Sequence, residues 1–173
     1  MQKKYTKPLL LFFFILFSCC YEDELFENTR EDYLGDNFRT DGFYYDYFQG
    51  KIQTILFFYR NGVYFLVAGD GKARTKPEEV KTLFAEDRIE WLKKSKYNWG
   101  IFNIKGNDII LETWHPTEHI NYVHTKWGEI LSDTTFNITK SHYRPENRIS
   151  NTIYNYYFYP YSPKPDSTNT FIK

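Results

Sequence analysis

The stretch Lys51–Gly71, KIQTILFFYRNGVYFLVAGDG, constrains the fold more than any other part of the chain. Two runs of β-branched and aromatic residues, Lys51–Tyr59 and Val63–Val67, flank Asn61-Gly62. Asn-Gly between two such runs is a strong hairpin signal, because both residues tolerate positive φ. Similar runs recur at Gly42–Phe48, Trp99–Ile104, Asp108–Trp114, His119–Lys126, Trp127–Leu131, Thr134–Thr139 and Thr152–Tyr159. Gly50, Gly69-Asp70-Gly71, Lys105-Gly106-Asn107 and Pro116 punctuate them. About eight short strands joined by tight turns predict a mainly β fold: an antiparallel meander closing as a barrel or stacking as a sandwich. Trp99-Gly100 and Trp127-Gly128 open two stretches that echo each other, which suggests related hairpins within one meander.

One inserted α-helix is expected near residues 76–95. Thr75-Lys76-Pro77-Glu78 has capping-box spacing, and Pro77 suits a first turn. Val80, Leu83, Phe84, Trp91 and Leu92 give its apolar stripe, and Lys93, Lys94 and Lys96 favour its C-terminal end. The aromatic content is high, with 16 Tyr, 16 Phe and 4 Trp. Core packing is the default use of these rings; an aromatic ligand surface is the alternative.

The N-terminus speaks to location. Lys3, Lys4 and Lys7 precede an uncharged run from Pro8 to Phe17, followed by small Ser18. These are the parts of a secretory signal, and the run is shorter than the ~20 apolar residues a membrane-spanning helix needs. Leu16-Phe17-Ser18-Cys19 resembles the bacterial lipobox. That resemblance implies cleavage before Cys19 and acylation of its thiol, with Cys20 as the alternative target. Two or three acyl chains, palmitate among them, would make the attachment durable. These two adjacent residues are the only cysteines; neighbours bridge poorly, so the body carries no internal disulfide. Glu22, Asp23, Glu24, Glu27, Glu31 and Asp32 follow, and this acidic cluster resembles the surface-export signal of Bacteroidota lipoproteins. The implied location is the outer membrane, with the cell surface favoured over the periplasmic face. The expected organisation is a signal peptide at 1–18, an acidic flexible tether at 19–40 and a single β-rich domain at 41–173.

The motifs WGIF, GEILSDTTF and KPDSTNTF, within 41–173, look like those of uncharacterised small lipoproteins of Bacteroidota. The strand pattern is lipocalin-like in outline, and neither likeness implies an activity.

Chemistry is sparse. The 22 basic and 22 acidic residues balance, and losing the signal lysines leaves a mildly acidic body that does not suit nucleic acid. His115, Glu118 and His119 could form a loop metal set, but Pro116 and the strand pattern remove helical His spacing. His124 falls on the opposite strand face from His119. The expectation is solvent-facing imidazoles, no metal, no cofactor and no catalytic residues. No Gly-x-Ser-x-Gly and no P-loop occur. Glu78-Glu79 and Glu86-Asp87 read as exposed helix acids. The reading leans towards a non-enzymatic, lipid-anchored barrel binding a small apolar or sugar-like ligand. The alternatives are an envelope-structural or interaction module using Tyr154–Tyr159, and a surface hydrolase with dispersed carboxylates. The ligand-binding residues are not readable from sequence.

Overall fold

The computed structural model describes residues 23–117 and 120–173. The strands are β1 (Gly42–Phe48), β2 (Lys51–Phe58), β3 (Val63–Ala68), β4 (Trp99–Lys105), β5 (Asp108–His115), β6 (Tyr122–Ser132), β7 (Thr135–Tyr143), β8 (Arg148–Ser150) and β9 (Tyr154–Pro160). Each of β1 to β7 pairs antiparallel with the next, and β9 pairs with both β7 and β1. The meander therefore closes into an eight-stranded barrel of β1–β7 and β9. Short β8 adds to β7 beside it. Closure leaves those eight strands without a free edge, and it resolves the choice between barrel and sandwich.

The register explains the aromatic load. Inward positions pair around the wall: Tyr44 with Leu56, Leu56 with Leu66, Phe58 with Tyr64, Phe102 with Leu111, Ile130 with Phe136, and Phe136 with Tyr156. Outward positions on β1–β4 are apolar too, because they carry a second core. Phe43, Phe57, Val63, Phe65 and Trp99 pack there against Val80, Leu83, Ile89 and Leu92 of the insert and Ile172 of the C-terminal tail. A strand buried on both faces loses its polar alternation, as in Ile55-Leu-Phe-Phe-Tyr59.

The β2–β3 hairpin forms where Asn61-Gly62 places it, with a different turn. Gly62 N–H donates to Tyr59 carbonyl oxygen at 3.1 Å and Tyr59 N–H to Val63 carbonyl oxygen at 3.0 Å. Only Gly62 takes positive φ (76°). This is a type I turn completed by a left-handed glycine rather than a two-residue turn with both central φ positive.

The helical insert is two pieces. A 3-10 helix spans Pro77–Phe84 and an α-helix, α1, spans Glu86–Lys93, separated by extended Ala85 (ψ 135°). The break resets the helical phase. Ile89 and Leu92 therefore meet the sheet, and Trp91, expected in the stripe, stands 69% exposed. The cap shifts by one residue: the Glu79 carboxylate, not that of Glu78, accepts from the N–H groups of Thr75 and Lys76. Trp99 Nε1 donates to Lys93 carbonyl oxygen at 3.0 Å and locks α1 to β4.

Trp127 and Gly128 lie inside one long strand, β6, where a register shift marks a bulge against β7. Gly128 and Gly100 both occupy inward positions. An added Cβ at Gly100 would sit 2.4 Å from the Tyr64 ring, and one at Gly128 would sit 1.8 Å from the Asn137 carbonyl oxygen. The Trp-Gly echo thus marks two places where the wall is approached too closely for any side chain.

Residues 23–40, the greater part of the expected tether, run along the outside of the barrel from one end to the other. Phe26 stacks on Trp114 (4.2 Å), Asn28 donates twice to buried Glu112 (both 3.1 Å), and Asn103 Nδ2 donates to Thr29 carbonyl oxygen at 3.0 Å. Phe38 then turns into the far end of the barrel as a plug, packed on Tyr44, Phe58 and Phe136. Residues 19–22 lie outside the described residues.

Candidate functional site

Phe38, Tyr33, Phe58, Phe102 and Phe136 fill one end of the barrel. The other end is lined differently. There the inward positions are Asp46 on β1, Thr54 on β2, His124 and Lys126 on β6, Ser141 on β7 and Tyr154 and Tyr156 on β9. With Ile138 they surround a cavity of about 250 Å3. A wider mouth of about 780 Å3 adjoins it and shares His124, Ser141 and Tyr154. His115, Tyr143 and Arg148 form much of its rim. Arg148 lies over the Tyr143 ring and pairs with Glu146 at 3.3 Å.

The local sequence builds this chamber. A bulge between Tyr45 and Tyr47 interrupts the β1–β2 ladder and leaves Thr54 N–H without a strand partner. Asp46 supplies one: its Oδ1 accepts that N–H at 2.6 Å. Asp46 is 4% exposed, and burial raises its carboxyl above the usual range against the hydrogen bonding from Thr54. On β6, His124 pairs with Thr113 and Lys126 with Leu111, both at inward positions of β5. Burial pushes the Lys126 ammonium down, with Asp46 opposing. His124 is pushed down to about 3, first by burial and then by Lys126, His115, Arg148 and His142. It is therefore a neutral imidazole at physiological pH. Burial also raises the Tyr156 hydroxyl.

Lys126 makes no hydrogen bond and no ion pair within 4 Å among the described residues. Asp46 is the carboxylate on the cavity wall, and Glu146 the one at the mouth. The chamber can thus offer a cation, an acceptor, a neutral imidazole and hydroxyl groups, with two tyrosine rings as apolar surface.

Cys19, Cys20, Glu118 and His119 lie outside the described residues. Of the expected loop set only His115 is placed, exposed at the rim. The expectation of solvent-facing imidazoles fails for His124, which belongs to the barrel wall because its strand phase points inward. Among the described residues no three His, Cys, Asp or Glu side chains cluster in a way that could hold a metal ion. Glu78, Glu79, Glu86 and Asp87 are exposed on the insert, as expected. Sequence reasoning missed Asp46 and Lys126. The available signal was phase: both carry charge at strand positions where the alternation demands an inward residue.

No protein-family model matches the chain, and neither a curated protein nor a solved structure matches it.

Proposed function

We propose that the protein is a lipid-anchored cell-envelope lipoprotein whose barrel binds a small ligand in its unfilled half. The carrying observation is the contrast between the two ends: one plugged by stacked rings, the other an open chamber whose lysine has no hydrogen-bond or ion-pair partner among the described residues. A barrel that served only as a spacer would gain stability by filling that half with apolar side chains.

The strap supports an orientation. Asp23 bonds to Lys96 and Asn121, and Glu24 accepts from Val123 N–H and pairs with Arg144. These partners sit at the open end. Cys19 precedes Asp23 by four residues, a reach of roughly 14 Å at most. Lipid on Cys19 would therefore hold the mouth close to the membrane surface, on the outer membrane and favouring the outer leaflet. The expected result is a lipid-sized mass on residue 19 in the mature protein from its host, abolished by Cys19→Ala. An unmodified chain, or lipid on Cys20 alone, overturns the anchor as framed.

A second reading, an envelope-interaction module, is favoured by the outer face of β1 and β9. Tyr45, Tyr47 and Tyr157 cluster there with ring centroids 5.4–6.3 Å apart, and Tyr47 and Tyr157 are 41% and 40% exposed. Tyr156 and Phe158 of the same strand turn inward, so half of the Tyr154–Tyr159 run serves the core. On this reading, crosslinking in the host envelope captures a partner that the Tyr47→Ser, Tyr157→Ser double variant loses. An unchanged crosslinking pattern removes it.

A further inference from the structure

We propose that the chamber is a site for a small carboxylate that also carries a hydrogen-bond donor, the chemistry of a hydroxy or amino acid. This deepens the ligand-binding reading and rests on it. Lys126 is the group that sets the ligand's charge. Its position on β6 lies between Leu111 and Ser141 of the neighbouring strands, at an inward site of the wall. Its ammonium lacks any hydrogen-bonding or ion-pair partner among the described residues. Lys126 is half-buried at the cavity wall and Asp46, the carboxylate that attracts it, lies beyond ion-pair distance, so a direct counter-charge is the expected occupant. A carboxylate would give Lys126 a charge-assisted hydrogen bond. The hydroxyls of Ser141 and Tyr156 line the same space for its second oxygen.

Asp46 narrows the class. It shares the cavity wall with Lys126 but stays beyond ion-pair distance, held by Thr54 N–H. The chamber therefore presents a cation and a carboxyl group that do not neutralise each other directly. A doubly charged anion such as phosphate would meet Lys126 and be repelled by Asp46. A simple amine would suit Asp46 and be repelled by Lys126. A hydroxyl or ammonium near a carboxylate satisfies both. Neutral His124 adds a hydrogen-bonding edge without changing this balance. The ~250 Å3 volume lies below the ~300–1,000 Å3 of drug-sized sites, so the ligand is small.

The test is titration of the full chain in detergent with glycolate, glycine, acetate and ethanolamine at equal ionic strength, followed by calorimetry and amide NMR shifts. Glycolate or glycine should bind more tightly than acetate or ethanolamine, with shifts centred on Asp46, Thr54 and Ser141. Lys126→Met, which keeps the stem without the charge, should weaken binding by about tenfold or more, the loss expected of a charged hydrogen bond. Asp46→Asn keeps an acceptor for Thr54 N–H and should shrink the advantage of glycine over acetate. Equal binding to wild type and Lys126→Met, or preference for ethanolamine, overturns the proposal. Native mass spectrometry of protein drawn from its host separates the two levels. A neutral or cationic occupant overturns the carboxylate class while leaving ligand binding standing. An empty chamber with no response to any probe overturns both.

Discussion

Phe38→Ala is expected to destabilise the barrel by about 3–5 kcal/mol, as for other large-to-small changes at buried aromatic sites. Phe38 is 1% exposed and meets five other rings of the closed end, Tyr33 among them. It stacks on Tyr44 at 4.6 Å and 1°, and meets Phe58 at 5.0 Å, Phe136 at 5.7 Å and Phe102 at 6.3 Å. The lost contacts include edge-to-face pairs worth ~0.5–1.5 kcal/mol each beyond their area. The cavity cannot collapse easily, because hydrogen-bonded strands fix the wall. Strap and plug are also coupled. Arg39 N–H donates to Tyr44 hydroxyl oxygen at 3.2 Å, and Tyr44 hydroxyl donates to Asp133 carbonyl oxygen at 2.9 Å. Removing the ring loosens the segment that carries these bonds. Denaturant titration should show a lower midpoint, and hydrogen exchange should show faster exchange in residues 33–40. Against a total stability of ~5–15 kcal/mol this is a severe loss. A midpoint change worth under ~1 kcal/mol would show that the ring is a bystander and that the barrel closes its own end.

The barrel was legible because each strand carries its own turn signal. Gly42–Phe48, Lys51–Tyr59 and Asp108–Trp114 are readable from β-rich runs bounded by Gly or Pro, and the structure places strands there. Closure was not legible. It depends on β9 meeting both β1 and β7, a long-range pairing that no local pattern encodes. Trp127-Gly128 reads as a strand start because glycine usually interrupts; here it admits the Asn137 backbone and β6 continues through it. Short β8 has only Arg148-Ile-Ser150 to announce it, and its pairing with β7 is set by the turn at 144–147. The helix split at Ala85 was hidden too, since Asp87 and Arg88 read as polar residues of one helix. The chamber was the least visible feature. Asp46 sits in an aromatic run where its charge looks like an outward residue, although its alternation with inward Tyr44 and its register with inward Tyr156 place it inside.

Acidification from pH 6.5 to 5 should destabilise the protein, with His124 as the cause. Its folded-state pKa is about 3, against 6.5 for the free imidazole. Between those values the unfolded chain binds a proton that the native barrel excludes, so stability is lost as pH falls below 6.5. The slope is ~1.4 kcal/mol per pH unit for one fully differential proton. From pH 6.5 to 5 this amounts to roughly 2 kcal/mol at most, or about 4–8 °C in Tm for a chain of this size. Asp23, Asp41, Asp70, Asp166 and Glu79 have carboxyls lowered chiefly by hydrogen bonds and nearby cations, so their contributions fail only at more acid pH. Asp46 acts with the opposite sign. Burial raises it, as it raises Glu112, so the stability each contributes is present at low pH and is lost as pH rises through its folded value. His124→Gln, neutral at every pH, should flatten the Tm profile between pH 6.5 and 5, and Asp46→Asn should steepen it. Parallel profiles for wild type and His124→Gln would show that the imidazole takes up its proton inside the folded barrel. A second cation would then stand beside Lys126, and the chamber would favour more highly charged anions as the pH falls.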